Sequence, residues 1–173
     1  MSDLSNVETI KYMQVVKRDG RCENVSFDKI LRRIEVLCSK LNLHRINSIE
    51  VAKDTINGLY DKITTEEIDH YAAVNCSEKI RDDPQYDNLA TALCVSRLHK
   101  MTADDFMEVT TKLYNNNSLV TNDYYNFIKQ HIDKIQEKLN EAYPRDYGLD
   151  YFGFKTLERS YLHKIKTVSK NKN

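Results

Sequence analysis

The sequence has 173 residues, with no tryptophan, four glycines and two prolines. So few helix breakers exclude a chain of many short strands and tight turns, and favour long helices. It has no C-x-x-C pair; Cys22, Cys38, Cys76 and Cys94 stand far apart. That excludes a zinc ribbon or a thioredoxin-type motif and reads as reduced, mostly buried thiols of an intracellular protein. Neither sign of charge predominates, with 26 Lys+Arg against 26 Asp+Glu, which argues against a general nucleic-acid coat. No apolar run approaches membrane-spanning length, so no membrane partner is expected. The opening MSDLSNVETI is polar and acidic rather than a basic-then-apolar signal, so the expected location is cytoplasmic. His44, His70, His99, His131 and His163 show no ligand spacing with a carboxylate or cysteine, so no metal site is predicted. There is no Gly-rich phosphate loop, no G-x-S-x-G and no nucleophile beside a base, so no catalytic residue is assigned. No repeat of solenoid length occurs.

What is present is 40% hydrophobic and 30% charged, enough for a core and a well-charged surface. Residues 1–11 read as a flexible lead. Met13 to Lys17 alternate as a strand does, Asp19-Gly20 is a two-residue hairpin turn, and Arg21 to Val25 is the return strand. Ser26 can cap a helix whose apolar face is Phe27, Ile30, Leu31, Ile34, Leu37, Cys38 and Leu41, ending near Asn42. A second helix begins at Ser48. Thr64-Thr65-Glu66-Glu67 has capping-box chemistry and opens a third, with Ile68, Ala72, Cys76 and Ile80 inward. Asp82-Asp83-Pro84 interrupts the chain before a fourth helix reaching about Lys100. Beyond it, Thr102 and Asp105 can cap a fifth helix, 115–118 is a loop, and 123–140 is a further helix. Tyr143-Pro144 breaks that helix, and a last one carries Leu157, Tyr161, Leu162 and Ile165. The aromatic stretch from Tyr143 to Phe154 reads as packing rather than base stacking, since no dense basic run accompanies it.

The hairpin sets Lys17, Arg18, Arg21, Glu23 and Lys29 beside the start of the helix at Phe27. A helix N-terminus has unpaired N–H groups and partial positive charge, so the arrangement suits a polyphosphate. Glu23 adds an acceptor for a base or ribose. The same charges equally describe a solvated face. Thr65 and Asp69, four apart, share a helix face and could hold a ribose or base edge, or could be only a first-turn hydroxyl and acid. His99 and Lys100 suit the negative end of their helix dipole, which is a sufficient structural reason for both.

These residues resemble a known family. "VVKRDGRCENVSFDKI", "GLYDKITTEEID" and "DNLATALCVSRLHK" look like the ATP-cone domain, and more narrowly like the N-terminus of the class I ribonucleotide reductase large subunit. "DYFGFKTLERSYL", Asp150 to Leu162, is similar to the segment that follows the cone in the eukaryotic and viral type. The resemblance runs from about Tyr12 to Lys164. It implies a mainly α (α+β) fold: an N-terminal β-hairpin layer over a four-helix ATP-cone at 12–101, a helical extension at 102–165 that lacks the catalytic barrel, and a Lys-rich tail at 166–173. It implies an overall-activity site binding ATP or dATP as allosteric effector, with Mg allowed on the nucleotide and no protein-bound metal, in an enzyme that makes deoxyribonucleotides for DNA replication. By the resemblance, Lys17 and Arg18 meet phosphates. Glu23, Asn24, Val25, Ser26, Phe27, Asp28 and Lys29 wrap the nucleotide with Lys29 on phosphate, Thr65 and Asp69 hold the base and ribose side, and Lys100 is a further phosphate contact. The family's radical cysteine, reducing cysteine pair and barrel are absent from this sequence, so the chain alone is expected not to reduce nucleotides. The implied partners are a barrel-containing remainder of the large subunit and the radical-generating small subunit, with a homo-oligomer allowed and nucleic acid disfavoured. A stand-alone nucleotide-sensing module, a decaying gene fragment and a cone-type transcriptional regulator are the alternatives. The last normally carries a zinc ribbon that is missing here.

Overall fold

The computed structural model describes residues 13–116 and 120–162. The expected flexible lead at 1–11, part of the 115–118 loop, Ile165 and the Lys-rich tail lie outside the described residues. The chain opens with β1 (Gln14–Val16) and β2 (Cys22–Asn24), paired antiparallel with Val15 opposite Glu23. Their connection is not the expected two-residue turn. The Lys17 N–H donates to the Arg21 carbonyl and the Gly20 N–H to the Lys17 carbonyl, at 2.8 and 2.9 Å. Arg18-Asp19-Gly20 is therefore a three-residue loop, in which Gly20 at φ +82° takes the left-handed position and Asp19 does not. The hairpin is also not alone. The two-residue strand β3 (Ile63–Thr64) lies parallel to β1 on its other side, giving the order β2-β1-β3. Two strands are marginal by themselves; the third pins β1 by burying Val15 against the fully buried Ile63.

Four helices carry this sheet. α1 (Phe27–Lys40) starts where Ser26 Oγ accepts the Lys29 N–H at 3.4 Å, and its buried residues Ile30, Ile34, Leu37 and Cys38 fall on the predicted stripe. α2 (Ser48–Asn57) is capped by Asn47. α3 (Thr65–Glu78) has the predicted capping box: Thr64 Oγ1 accepts from the Glu67 N–H, and Glu67 Oε2 accepts from the Thr64 N–H at 2.9 Å. Thr64 is both the end of β3 and the cap of α3, so the sheet fixes where α3 begins. α4 (Gln85–Met101) is the central helix, with an unbroken buried run from Leu89 to Ser96. Cys38, Cys76 and Cys94 are buried and Cys22 is exposed. Burial pushes the thiols of Cys76 and Cys94 up to about 12 and about 11, so both stay protonated.

The extension comprises α5 (Phe106–Asn115), α6 (Asn122–Ala142), a 3₁₀ helix (Tyr143–Gly148) and α7 (Tyr151–Ser160). Asp105 alone caps α5, accepting from the Met107 and Glu108 N–H groups; the Thr102 hydroxyl instead donates to the Leu98 carbonyl at the end of α4. The expected last helix carries Leu157 as α7 does, but α7 ends at Ser160, so Tyr161 and Leu162 of the expected stripe lie beyond it. Asp150 caps it by accepting the Gly153 N–H at 2.5 Å, and a Cβ at Gly153 would stand 3.0 Å from that carboxylate. The aromatic stretch packs, as expected: Phe154 is buried in the main core, and Tyr147 and Tyr151 lie against it. Among the described residues no helix is long and apolar enough to cross a membrane.

Candidate functional site

A cavity of about 640 Å³ opens between the hairpin and α1, α3 and α4, a size within the range of small-molecule sites. Each wall follows from local structure. The hairpin contributes Val15, Lys17, Arg18, Asp19, Arg21, Glu23 and Asn24. α1 presents one stripe, Ser26, Lys29, Ile30, Arg33 and Ile34, at spacings of three and four. α3 presents Thr65, Ile68, Asp69 and Ala72, again one face, and α4 adds Leu93 and Lys100. Ile30, Ile34, Ala72 and Leu93 are buried and form an apolar floor, while six cationic side chains and only three carboxylates surround it. The chain as a whole is neutral, so the excess of cations here is local.

The cations are held by carboxylates. Glu23 Oε1 lies 2.6 Å from Lys17 Nζ and accepts from Lys29 Nζ at 2.9 Å. Hydrogen bonds from Lys17 and then Lys29 hold the Glu23 carboxyl below the usual carboxylate range. Asp19 accepts from Arg21 Nε at 2.7 Å. Deeper in, the Asp69 carboxylate accepts from Arg33 through Nε at 3.3 Å and Nη2 at 3.2 Å; the same Nη2 donates to Ser96 Oγ at 2.8 Å. Lys100 Nζ stands 3.9 Å from Asp69. Burial, with Arg33 nearby, pulls the Lys100 ammonium below the ordinary lysine range. Arg18 lies 3.7 Å from Glu66, and its Nη1 donates to the Lys100 carbonyl at 3.4 Å.

Nine of the twelve predicted site residues line this one cavity: Lys17, Arg18, Glu23, Asn24, Ser26, Lys29, Thr65, Asp69 and Lys100. Val25, Phe27 and Asp28 do not. Val25 and Phe27 pack against the core, and Asp28 is exposed on the far side of the first turn of α1. Arg33 was not among the predicted residues, although it follows Lys29 by one helical turn, a spacing that would have found it. Arg21, singled out with the basic hairpin residues, also lines the cavity, whereas the apolar floor and the rim residue Asp19 were not foreseen. The cations suit phosphate oxygens, the floor suits a flat base, and Asp69 and Glu23 supply acceptors. Among the described residues no three His, Cys, Asp or Glu side chains gather as a metal site.

Residues 13–101 match the ATP cone domain. The chain belongs to that family, whose domains bind nucleotide effectors. It is similar to ribonucleoside-diphosphate reductase large subunits. It is 42% identical over 164 residues to that of Dictyostelium discoideum, covering 88% of this chain and 19% of the relative. Against that of Caenorhabditis elegans it is 45% identical over 157 residues, covering 87% and 20%. Against that of Vaccinia virus it is 42% identical over 159 residues, covering 88% and 21%. The chain thus spans about a fifth of the length of the curated relatives it matches.

Proposed function

We propose that the cavity binds ATP or dATP as an allosteric effector. On this reading the chain is the overall-activity regulatory segment of a ribonucleoside-diphosphate reductase large subunit, in the service of deoxyribonucleotide synthesis. The observation that carries this is the convergence of Lys17, Arg18, Lys29, Arg33 and Lys100 over an apolar floor in a chain whose residues 13–101 match the ATP cone. Lys17 and Lys29 exchange their shared carboxylate, Glu23, for phosphate oxygens, and Glu23 then faces the base as an acceptor. Thr65 and Asp69 hold the ribose side. A magnesium ion would arrive on the phosphates, since the carboxylates at the cavity are already engaged by cations.

Nothing in the cavity arranges a nucleophile or a base for hydrolysis, and the reading is one of binding that shifts a conformational equilibrium. The partner proposed is the remainder of a large subunit, with the small subunit beyond it. Phe152, Leu157, Tyr161 and Leu162 are exposed on and just beyond α7, and the relatives are about five times as long as the segment matched. A stand-alone nucleotide sensor is the second reading, and it uses the same cavity. Calorimetric titration with ATP and with dATP tests the site, beside a Lys29→Ala, Asp69→Asn double variant. Saturable binding that the variant loses is expected. A folded wild-type protein that binds neither nucleotide overturns the proposal.

A further inference from the structure

Two of the three helices that wall the cavity, α1 and α4, reach the same small element near their C-terminal ends. α1 carries Lys29 and Arg33 in the cavity; from its last turn, Lys40 Nζ sits 4.0 Å over the ring of Tyr147 in the 3₁₀ helix. α4 carries Lys100 in the cavity; the preceding residue, His99, also reaches the 3₁₀ helix. His99 Nε2 lies 2.8 Å from Asp146 Oδ2 and so donates to it, and the ring stacks on Tyr143 at 4.1 Å between centroids. The histidine side chain is 14% exposed and that of Asp146 49%, so a nearly buried ring reaches out to a half-exposed carboxylate.

The far side of the 3₁₀ helix is a lever. Tyr143, at φ −47° and ψ −41°, continues the helical backbone out of α6 without a break. α6 has 21 residues, roughly 30 Å of rigid rod at 1.5 Å per residue. The near side has a movable bond. Arg18 donates to the backbone carbonyl of Lys100, so a ligand that draws Arg18 and Lys100 to itself releases the last turn of α4 at the residue next to His99. His99 and Lys100 are adjacent on one helical turn, so a rotation that repositions one side chain repositions the other.

We infer that the 3₁₀ helix Tyr143–Gly148 senses the occupancy of the cavity. His99, through Asp146 and Tyr143, and Lys40, through Tyr147, tie it to the helices of the cavity, and α6 is the arm it moves. The inference rests on the proposal that the cavity takes a nucleotide, and it adds the route by which occupancy leaves the cone. It needs two discrete arrangements of the last turn of α4, one held by Arg18 and one released, with the 3₁₀ helix following. His99 and Asp146 are positioning residues that do not line the cavity.

The test is hydrogen exchange of the full chain with and without saturating ATP, on wild type, His99→Phe and Asp146→Asn, with ATP affinity measured on each by calorimetry. His99→Phe keeps the ring stacked on Tyr143 and removes only the bond to Asp146. In wild type, ATP is expected to change exchange rates across 143–148 and the C-terminal half of α6 by about fivefold or more. Both variants are expected to bind ATP with affinity close to wild type and to lose that change. A merely structural role would shift exchange equally with and without ATP. Wild type that binds ATP with no change at 143–148, or variants that keep the change, would overturn the coupling and leave the nucleotide site standing. Wild type that binds no ATP would overturn both.

Discussion

At the scale of single residues, the cavity depends on how its buried charges are paired. Asp69 is 8% exposed, and Arg33 is its two-bonded partner. Arg33→Met removes that partner and the bond to Ser96, leaving the carboxylate with only Lys100 at 3.9 Å. A loss of about 1–3 kcal/mol in stability is expected, read from urea unfolding at neutral pH. Lys100 gives a second expectation. Burial and the neighbouring Arg33 lower its ammonium, so its charge is lost as pH rises sooner than that of an ordinary lysine. A bound polyphosphate favours the charged form and raises that pKa again, so binding takes up protons at alkaline pH and weakens as pH rises through the unliganded value. Calorimetry in two buffers of different ionisation enthalpy should report this uptake in wild type and not in Lys100→Met. The sequence made the cationic lining of this cavity legible because the hairpin and the start of α1 are contiguous. It hid the role of Arg33, whose partner lies 36 positions away. It also made Phe27 and Asp28 look like site residues, because a contiguous motif ignores that a helix turns each successive side chain by about 100°.

At the scale of elements, periodicity was a sufficient guide for the helices and an insufficient one for the sheet. α1, α3 and α6 carry stripes or caps and α4 is bounded by Pro84, so each was legible, although α3 ends at Glu78, short of the expected stop at Asp82. β3 was not, because two residues have no period and their pairing with β1 is parallel and 48 positions distant. The last helix was legible from its apolar spacing, but not its end at Ser160, because Leu162 continues the period beyond the last helical residue. The joint between β3 and α3 is where stability and site meet, since Thr64 caps the helix whose first turns carry Thr65 and Asp69. Thr64→Ala should cost about 1 kcal/mol and weaken nucleotide binding along with it. The Thr64 backbone N–H, with Tyr60 and the Thr64 hydroxyl, holds the Glu67 carboxyl below its ordinary value of 4.5. A carboxyl lowered by folding adds stability above its unfolded pKa and loses it as pH falls through the folded one. As pH falls below 4.5, Glu67→Gln should therefore show a shallower fall in thermal midpoint than wild type. Gln at this position can still accept the cap N–H, so the helix itself should persist in circular dichroism.

At the scale of the whole molecule, the extension is fastened to the cone mainly along α4, with Lys40 of α1 on Tyr147, and leaves other surface open. The inward face of α7 is Tyr151, Phe154 and Glu158, at spacings of three and four. The Tyr151 N–H donates to Asp87, Phe154 is 4% exposed in the core, and Glu158 pairs with Arg97 of α4 and with Lys155. Phe152, two residues before Phe154, is 81% exposed. Two phenylalanines in one "YFGF" therefore have opposite work, one in the core of this chain and one available to a partner. Phe154→Ala should cost about 3–5 kcal/mol in urea unfolding, while Phe152→Ser should stay within about 0.5 kcal/mol of wild type. Phe152 is one of several exposed apolar side chains on and just beyond α7, with Leu157, Tyr161 and Leu162, the surface proposed above to meet a partner. If the rest of a large subunit covers it, Phe152→Asp should weaken association with a polypeptide carrying that remainder by about tenfold or more, read by sedimentation of the mixed chains. An association indifferent to Phe152→Asp would place the partner elsewhere on the molecule, while the unfolding pair would still stand on the packing alone.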